Sequence, residues 1–237
     1  MQSKGTLYLI PCSLGESGQQ VLPEYIKPIV DTLSHFIVEH EKSARRFLKG
    51  IGYSHSLDSV VLYPLNKHTE AEAPMDYLMQ LLNGISMGII SEAGMPGVAD
   101  PGAAVVELAH QNRIKVVPLV GPSSLLLALA ASGMNGQGFT FNGYLPLKNP
   151  DRKNALLQLE RQSAKTHFSQ LFIETPFRNN QLLDDILQCC HHDTRLCVAC
   201  DLTLPTEFVA TRTIAQWKKE KRDFNKHPAV FILHAGR

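Results

Sequence analysis

Short β-prone runs alternate with helical segments in the first half of this chain, and this alternation limits the fold more strongly than any other sequence feature. The run Thr6–Ile10 is stopped by Pro11, apolar residues at helical spacing follow between Pro23 and Leu33, and Ser34–Val38 is a second β-prone run. Strands that alternate with helices of about ten residues predict a mostly parallel α/β sheet. Further helices are predicted at Glu41–Lys49, Ala73–Leu82 and Ala103–Asn112, and further strands at Leu57–Tyr63, Ser86–Ile90 and Ile114–Leu119.

The second half also mixes strands and helices, and no flexible linker separates it from the first. We therefore predict two α/β domains of about equal size, residues 1–118 and 119–237, with a boundary near Leu119. The predicted helices of this half are Ser123–Ser132, Lys153–Gln162 and Asn180–Cys190, and its predicted strands are Phe139–Tyr144, Phe168–Ile173, Arg195–Ala199 and Pro228–Leu233.

The charge balance excludes a protein-wide attraction to nucleic acid or to an anionic membrane. Lys and Arg number 23 against 22 Asp and Glu, which gives a formal net charge of +1, so any such binding must be local. The longest apolar run, Leu125–Ala131, is far shorter than the ~20 residues that cross a bilayer, and no secretory signal pattern is evident. With five cysteines, an odd number, these features predict a cytoplasmic protein with reduced thiols and no membrane partner.

The most unusual stretch is SEAGMPGVADPG, residues Ser91–Gly102, directly after the predicted strand Ser86–Ile90. Strand-to-helix connections in α/β units are normally only about 2–6 residues long. Open α/β folds bind their ligands at the carboxyl ends of the strands, and glycines allow a ligand to approach the backbone closely. We therefore interpret this loop as a ligand-binding segment, with an ordinary turn-rich connection as the alternative.

A second candidate is Gly121-Pro122-Ser123-Ser124, which precedes an Ala- and Leu-rich helix. A serine here can cap the helix, and the free N–H groups of the first turn can also bind a ligand. The spacing alone favours neither interpretation.

Several common catalytic classes lack their motifs. The chain contains no P-loop, no G-x-G-x-x-G after a strand, no G-x-S-x-G and no H-E-x-x-H, which argues against kinases, classical dinucleotide enzymes and hydrolases. Cys197 and Cys200 have a Cys-x-x-Cys spacing near Cys189, Cys190, His191 and His192. Because residues 197 and 200 point to opposite faces of an extended strand, we predict no metal site.

A basic run lies on the predicted helix Glu41–Lys49. Lys42, Arg45, Arg46 and Lys49 follow helical spacing, which predicts that all four lie on one face. This face could meet phosphates, or it could be a solvated face balanced by nearby acids.

Six motifs occur in order along nearly the whole chain: GTLYLIPCSLGE, IISEAGMPGVADPG, VVPLVGPSSLLLALAASG, FNGYLP, FIETPFR and PAVFILHAG. Together they resemble the S-adenosylmethionine-dependent methyltransferases of the tetrapyrrole methylase superfamily. Within it, they are most similar to the branch that methylates ribose 2′-hydroxyls of bacterial small-subunit ribosomal RNA. The resemblance implies two α/β domains, usually in a homodimer, with S-adenosylmethionine held in a cleft between the domains.

The resemblance also implies which positions contact the cofactor, many of them through backbone atoms. They are Pro11, Cys12, Ser13, Ser91, Glu92, Ala93, Gly94, Met95, Ser123, Ser124, Glu174, Thr175, Cys200, Asp201, Leu202, Thr203, Pro228 and Ala229.

The segments expected to face the substrate depart from that branch. Where the branch has A-E-D-T-R, this chain has Val38-Glu39-His40-Glu41-Lys42, and S-D-A-G-T-P is replaced by Ser91–Pro96. T-P-I-G-N-L corresponds here to Pro11–Glu16, without the asparagine, and K-G-E corresponds to Lys226-His227-Pro228. Three hypotheses follow: an RNA methyltransferase, a methyltransferase for a tetrapyrrole or another small molecule, and a protein that binds the cofactor without catalysis.

Methyl transfer from a sulfonium requires alignment of nucleophile, methyl group and sulfur in a site shielded from water, and needs no metal. A hydroxyl nucleophile gains from a nearby base, and Glu92 and Glu39 are the candidate carboxylates, with structural roles as the alternative. Lys42, Arg45 and Arg46 are the candidate contacts for substrate phosphates.

Overall fold

Within the residues that the computed structural model describes, 3–15, 19–65 and 73–236, ten strands form two five-stranded sheets. The chain divides into two compact units, Met1–Ser123 and Ser124–Arg237. The sequence predicts this boundary slightly earlier, between residues 118 and 119. Each unit contains one of the sheets together with its own helices. Glu16, which ends the first motif, lies outside the described residues.

The first unit holds a parallel sheet, as the alternation of strands and helices predicts. Its strand order is β3-β2-β4-β1-β5, and every neighbouring pair is parallel. The elements are β1 (Thr6–Ile10), α1 (Ile26–Val30), β2 (His35–Val38), α2 (Glu41–Gly50), β3 (Val61–Pro64), α3 (Ala73–Leu82), β4 (Met87–Ile90), α4 (Gly102–Gln111) and β5 (Lys115–Pro118).

Alternating side chains place a hydrophobic core on each face of this sheet. Phe36 of β2 packs in a cluster with α1 and α2, whereas its neighbour Ile37 packs in a second cluster with α3 and α4. Successive residues of a strand point to opposite faces, so strands that are covered on both sides become continuous apolar runs. Because all five strands are parallel, their carboxyl ends lie at one edge of the sheet.

Two predicted elements of this unit are shorter than expected. The helical pattern from Pro23 to Leu33 yields only α1, and the predicted strand Leu57–Tyr63 is divided into a 3₁₀ turn at Leu57–Ser59 followed by β3. The Ser56 hydroxyl accepts a hydrogen bond from the backbone N–H of Asp58, which stabilises the turn in place of an extended strand.

The second unit holds a mixed sheet of order β6-β7-β10-β8-β9. Strands β6 and β7 are parallel, whereas β10 runs antiparallel to both β7 and β8, and β9 runs antiparallel to β8. The elements are α5 (Ser124–Ser132), β6 (Phe139–Tyr144), α6 (Asp151–Thr166), β7 (Ser169–Ile173), α7 (Asn179–Cys189), β8 (Arg195–Cys200), β9 (Phe208–Thr213), α8 (Ile214–Trp217) and β10 (Ala229–His234).

The core of this unit lies between the sheet and helices α6, α7 and α8. Buried Leu156, Ile186 and Trp217 pack there against Phe172 and Phe231 of the central strands. The Trp217 indole Nε1–H donates to the Leu196 carbonyl at 2.8 Å, so the buried polar atom of the ring is satisfied. Strand β9 and helix α8 were not predicted from the sequence.

None of the helices in the described part of the chain combines the length and the apolar character that a membrane span requires.

Candidate active site

The loops after β1 and β4 are joined at the carboxyl edge of the first sheet. The Cys12 N–H donates to the Gly94 carbonyl at 2.9 Å, and the Gly94 N–H donates back to the Cys12 carbonyl at 3.1 Å. The Ser91 hydroxyl donates to the same Gly94 carbonyl at 2.8 Å. These bonds bring together two segments to which the resemblance assigns cofactor contacts.

The backbone conformation at position 94 requires a glycine. Its φ of +71° lies in the left-handed region that a β-carbon disfavours. An added Cβ would also lie 3.2 Å from Leu14 Cδ2 and 3.4 Å from the Pro122 carbonyl oxygen. The remainder of the loop is held by the Asp100 carboxylate, which accepts the N–H groups of Gly97 and Gly102, each at 2.8 Å.

A pocket of about 240 Å³ opens at this edge of the first unit. It brings residues predicted to contact cofactor together with Arg46, which was predicted to contact substrate. Its lining residues are Cys12, Ser13, Leu14, Gly15, Ser43, Arg46, Phe47, Ser91 and Glu92. The lining mixes apolar residues such as Leu14 and Phe47 with polar ones and carries charges of both signs.

The Cys12 thiol in this pocket is not a nucleophile. Burial, together with a smaller effect of the neighbouring Glu92 carboxylate, raises its pKa to about 12. The thiol is therefore protonated at neutral pH, and thiols are weak nucleophiles in that form.

The two candidate carboxylates lie on neighbouring strands but in different surroundings. Glu39 follows β2 and Glu92 follows β4, where Val38 pairs with Ile90. Burial and the nearby carboxylates of Asp100 and Glu92 raise the pKa of Glu39. Glu39 lines a small cavity beside Asp100, whereas Glu92 lines the larger pocket.

His40 lies beside Glu92, with 3.4 Å between its Nδ1 and the carboxylate Oε1. Both side chains remain accessible, the histidine at 67% and the glutamate at 41%. The sequence gives no direct signal for this pair, because it depends on the register of β2 against β4.

The helix α2 gives the four basic residues the predicted helical spacing, but only three of them are exposed. The Arg45 guanidinium is half-buried and donates to the Leu57 carbonyl, so it fastens α2 to the following turn. Lys42, Arg46 and Lys49 are exposed at i, i+4 and i+7, and we call these three residues the basic strip. Arg46 belongs both to the strip and to the lining of the pocket.

Ser123 and Ser124 lie at the start of α5, where a hydroxyl can either cap the helix or meet a ligand. Ser123 is half-buried and is the last residue of the first unit.

In the second unit, the remaining predicted cofactor positions gather at one edge of the sheet. Because β10 is antiparallel to both neighbours, its beginning meets the ends of β7 and β8: Ala229 pairs with Cys200, and Val230 pairs with Ile173. The Asp201 N–H donates to the Pro228 carbonyl at 3.0 Å. This edge carries Glu174, Thr175, Cys200, Asp201, Leu202, Thr203, Pro228 and Ala229.

Thr203 provides the clearest sign of a ligand at this edge. Its hydroxyl is buried and has no hydrogen-bond partner among the described residues. Its φ of +71° is costly for a β-branched residue, by roughly 1–2 kcal/mol. Buried polar atoms are nearly always paired, and strain of this kind concentrates at functional sites. The residue therefore fits a site where a polar ligand supplies the missing partner.

Glu174 is held ionised by two donors. Burial acts to raise the pKa of its carboxyl, but hydrogen bonds from Arg178 and from the Thr175 N–H, both 2.7 Å, outweigh it, and the pKa is lowered. Behind it, the fully buried Arg152 contacts Asp185 at 2.7 Å and lies 3.8 Å from Glu174. Sequence reasoning missed Arg152, because a charged residue in the first turn of a helix is usually solvated.

Two side-chain groups in the described residues have the composition of a metal site. Cys200, Asp201 and His227 place their ligand atoms within 4.8 Å of one another, as do the exposed residues His191, His192 and Asp193. Cys197 belongs to neither group. In the first group, the Asp201 carboxylate already contacts His227 Nδ1 and accepts the Thr206 hydroxyl, each at 2.7 Å, and burial raises the pKa of the Cys200 thiol to about 11.

Comparison with known proteins agrees with this architecture. Residues 23–218 match the family described as Tetrapyrrole (Corrin/Porphyrin) Methylases. The chain is 29% identical over 234 residues to "Ribosomal RNA small subunit methyltransferase I" of Vibrio cholerae, which covers 98% of this chain and 77% of that protein. The protein of the same name from Escherichia coli O157:H7 is 26% identical over 234 residues, covering 98% of this chain and 78% of its own length.

Two solved structures share the fold. The methyltransferase CobJ superposes with a TM-score of 0.65 at 15% identity, covering 98% of this chain and 94% of that chain. Diphthine synthase superposes with a TM-score of 0.69 at 13% identity, covering 98% of this chain and 90% of that chain. The chain thus belongs to the tetrapyrrole methylase family and is a methyltransferase.

Proposed function

We propose that this protein transfers a methyl group from S-adenosylmethionine to a ribose hydroxyl of small-subunit ribosomal RNA in the cytoplasm. The single observation that carries the proposal is the pocket beside β1 and β4, where loops assigned to the cofactor meet Arg46 of the basic strip. The relatives named for ribosomal RNA methylation support the substrate class.

The residues present fit the cofactor. In the second unit, the unpartnered Thr203 hydroxyl would receive a polar group, and Ala229 pairs with Cys200 at the same edge of the sheet. In the first unit, Pro11, Cys12 and Ser13 and the loop from Ser91 to Met95 would hold the cofactor through the backbone. When bound, the cofactor supplies a methyl group on a positively charged sulfur.

The charges of the first unit favour RNA over a small apolar substrate. A tetrapyrrole would call for an enclosed apolar cavity, whereas this pocket carries the charged groups of Arg46 and Glu92 beside its apolar residues. The basic strip continues from Arg46 to Lys42 and Lys49 along the exposed face of α2. Cationic side chains in a row position a phosphate backbone without reading its sequence.

Of the two candidate carboxylates, Glu92 is the better placed to serve the reaction. It lines the pocket, and Glu39 faces Asp100 in the small cavity. We therefore propose that proton transfer takes place on the Glu92 side of the site, and that Glu39 supports the loop after β4.

Methyl transfer can be tested with radiolabelled S-adenosylmethionine, unmodified small ribosomal subunits and a panel of tetrapyrroles. Label in the ribosomal RNA, at a ribose 2′-oxygen after nuclease digestion, is the expected result. Label in a tetrapyrrole would replace the RNA hypothesis. Calorimetric binding of S-adenosylhomocysteine with no transfer to any acceptor would instead indicate a binding protein without catalysis.

The basic strip can be tested separately by charge reversal. The double variant Lys42→Glu/Arg46→Glu should weaken RNA binding and reduce the slope of log K against log salt by roughly 2, about one per lost phosphate contact. The matched control is Lys115→Glu, which changes an exposed residue of β5, the edge strand of the first sheet opposite β3. It should alter the salt dependence much less. Equal effects of the two variants would exclude the strip as the RNA contact.

The resemblance to the family also leads us to propose a homodimer, which sedimentation equilibrium would test.

A further inference from the structure

His40 and Glu92 form a histidine–carboxylate pair at the carboxyl edge of the first sheet. Val38 and Ile90 are paired across β2 and β4, and each member of the pair follows its strand by two residues. The parallel register therefore brings residues 52 positions apart in the sequence (92 − 40) to an Nδ1–Oε1 distance of 3.4 Å. Both come from loop segments anchored to buried strands, which limits their freedom to separate.

The position of the Glu92 carboxylate favours one tautomer of the imidazole. A carboxylate beside Nδ1 favours the tautomer with hydrogen on Nδ1, and the lone pair is then on Nε2. This is the arrangement by which a carboxylate orients a histidine base and stabilises the imidazolium that it becomes. His40 is 67% accessible, so Nε2 can meet a substrate, and Glu92 lines the adjoining pocket.

Charged groups of both signs lie on the segments around this imidazole. The carboxylates on its own and adjacent segments are Glu39, Glu41, Glu92 and Asp100, and the opposing cation in the pocket is Arg46. The Cys12 thiol is protonated and adds no charge.

Glu39 is a poorer acceptor for the same proton. Its carboxylate is half-buried and accepts a hydrogen bond from the Glu92 backbone N–H. This bond commits the carboxylate to holding the loop after β4. Glu39 lines the small cavity with Asp100 and is not among the residues that line the pocket.

We propose that His40 is the general base of the methyl transfer and that Glu92 is its positioning residue, an inference that rests on the proposed function. As the ribose oxygen forms its bond to the methyl carbon, the carbon–sulfur bond breaks and its electron pair stays on sulfur. The hydroxyl proton passes to His40 Nε2. The imidazolium remains paired with Glu92, and the sulfonium charge is lost as a neutral thioether forms, so charge and atoms balance.

The experiment is a single-turnover pH–rate profile of methyl transfer to small ribosomal subunits. For the unaltered protein, the rate should fall as the pH is lowered through the imidazole range. His40→Gln should lower the plateau rate by about 10²-fold or more and remove this acid limb. Glu92→Gln should keep the fall in rate at acid pH but shift it to lower pH, because the imidazolium loses its partner.

Two controls separate chemistry from folding and from cofactor binding. His55→Gln changes an exposed histidine of the same unit that contacts the Asp31 carbonyl, and it should leave the profile unchanged. His40→Gln should bind S-adenosylhomocysteine within about twofold of the unaltered protein in calorimetry.

A His40→Gln variant that keeps both its rate and the acid limb overturns the assignment of His40 while leaving the proposed function intact. Absence of transfer to RNA by the unaltered protein overturns both.

Discussion

Cys12 and Gly94 exchange two backbone hydrogen bonds, of 2.9 and 3.1 Å, and so tie the loop after β1 to the loop after β4. This two-way bridge turns two separate strand ends into one rigid surface. Since both residues belong to segments assigned to the cofactor, the geometry of that surface should control cofactor affinity.

Gly94→Val should weaken binding of S-adenosylhomocysteine at least tenfold. A β-branched residue at φ +71° is strained by about 1–3 kcal/mol and cannot keep the bridge to Cys12. Calorimetry gives the affinity and urea unfolding gives the stability.

The matched control is Gly97→Val, at φ +80° in the same loop, where an added Cβ meets nothing within 4 Å. It should lose similar stability but retain cofactor affinity. If both variants bind equally well, the bridge has no role in the site.

Thr203→Gly should make the protein more stable and less able to bind the cofactor. Glycine relieves the left-handed strain at φ +71°, which should raise the free energy of unfolding by up to ~1 kcal/mol. Removal of the hydroxyl takes away the partnerless donor that we assign to the ligand. Thr203→Ser keeps the hydroxyl and should keep the affinity, and a glycine variant with unaltered affinity would contradict the assignment.

Asp31 should make stability depend on acid pH. Burial would raise the pKa of its carboxyl, but the Lys27 ammonium at 2.5 Å and hydrogen bonds from Ser54 lower it from 3.8 to about 2. A carboxyl whose pKa is depressed on folding stabilises the protein above its unfolded pKa, and this contribution is lost as the pH falls from about 4 towards 2.

Urea unfolding at pH 6 and at pH 3 tests this dependence. The free energy of unfolding should fall more for the unaltered protein than for Asp31→Asn over that interval. Asp58→Asn, an exposed aspartate of the same unit, should behave like the unaltered protein. Parallel losses in all three proteins would refute the role of Asp31.

The first sheet was predictable because its central strands are buried on both faces. Such strands are continuous apolar runs, and β1 and α3 have the bounds that the sequence indicates. Strand β9 was missed because FVATRT has no apolar alternation and is half-buried at every position. The reversed direction of β10 was not predictable either, since an apolar run indicates a strand without its orientation.

The candidate site likewise has some features that the sequence predicts and others that it does not. Strand-end loops rich in glycine were visible as candidates because of their length and position. The contacts of His40 with Glu92 and of Asp201 with His227 depend on strand register, which the spacing of residues along the chain does not contain. Helical periodicity placed Arg45 with the other cations of α2, but its long side chain turns back to the Leu57 carbonyl.

Strand β10 lies in the centre of the second sheet, between β7 and β8, although it follows the other four strands of that sheet in the sequence. During translation, the strand pairs β6–β7 and β8–β9 therefore cannot join into one sheet until Ala229–His234 has emerged from the ribosome. A stop codon shortly before Ala229 would leave two exposed strand edges, and the truncated polypeptide should be a substrate for chaperones and proteases.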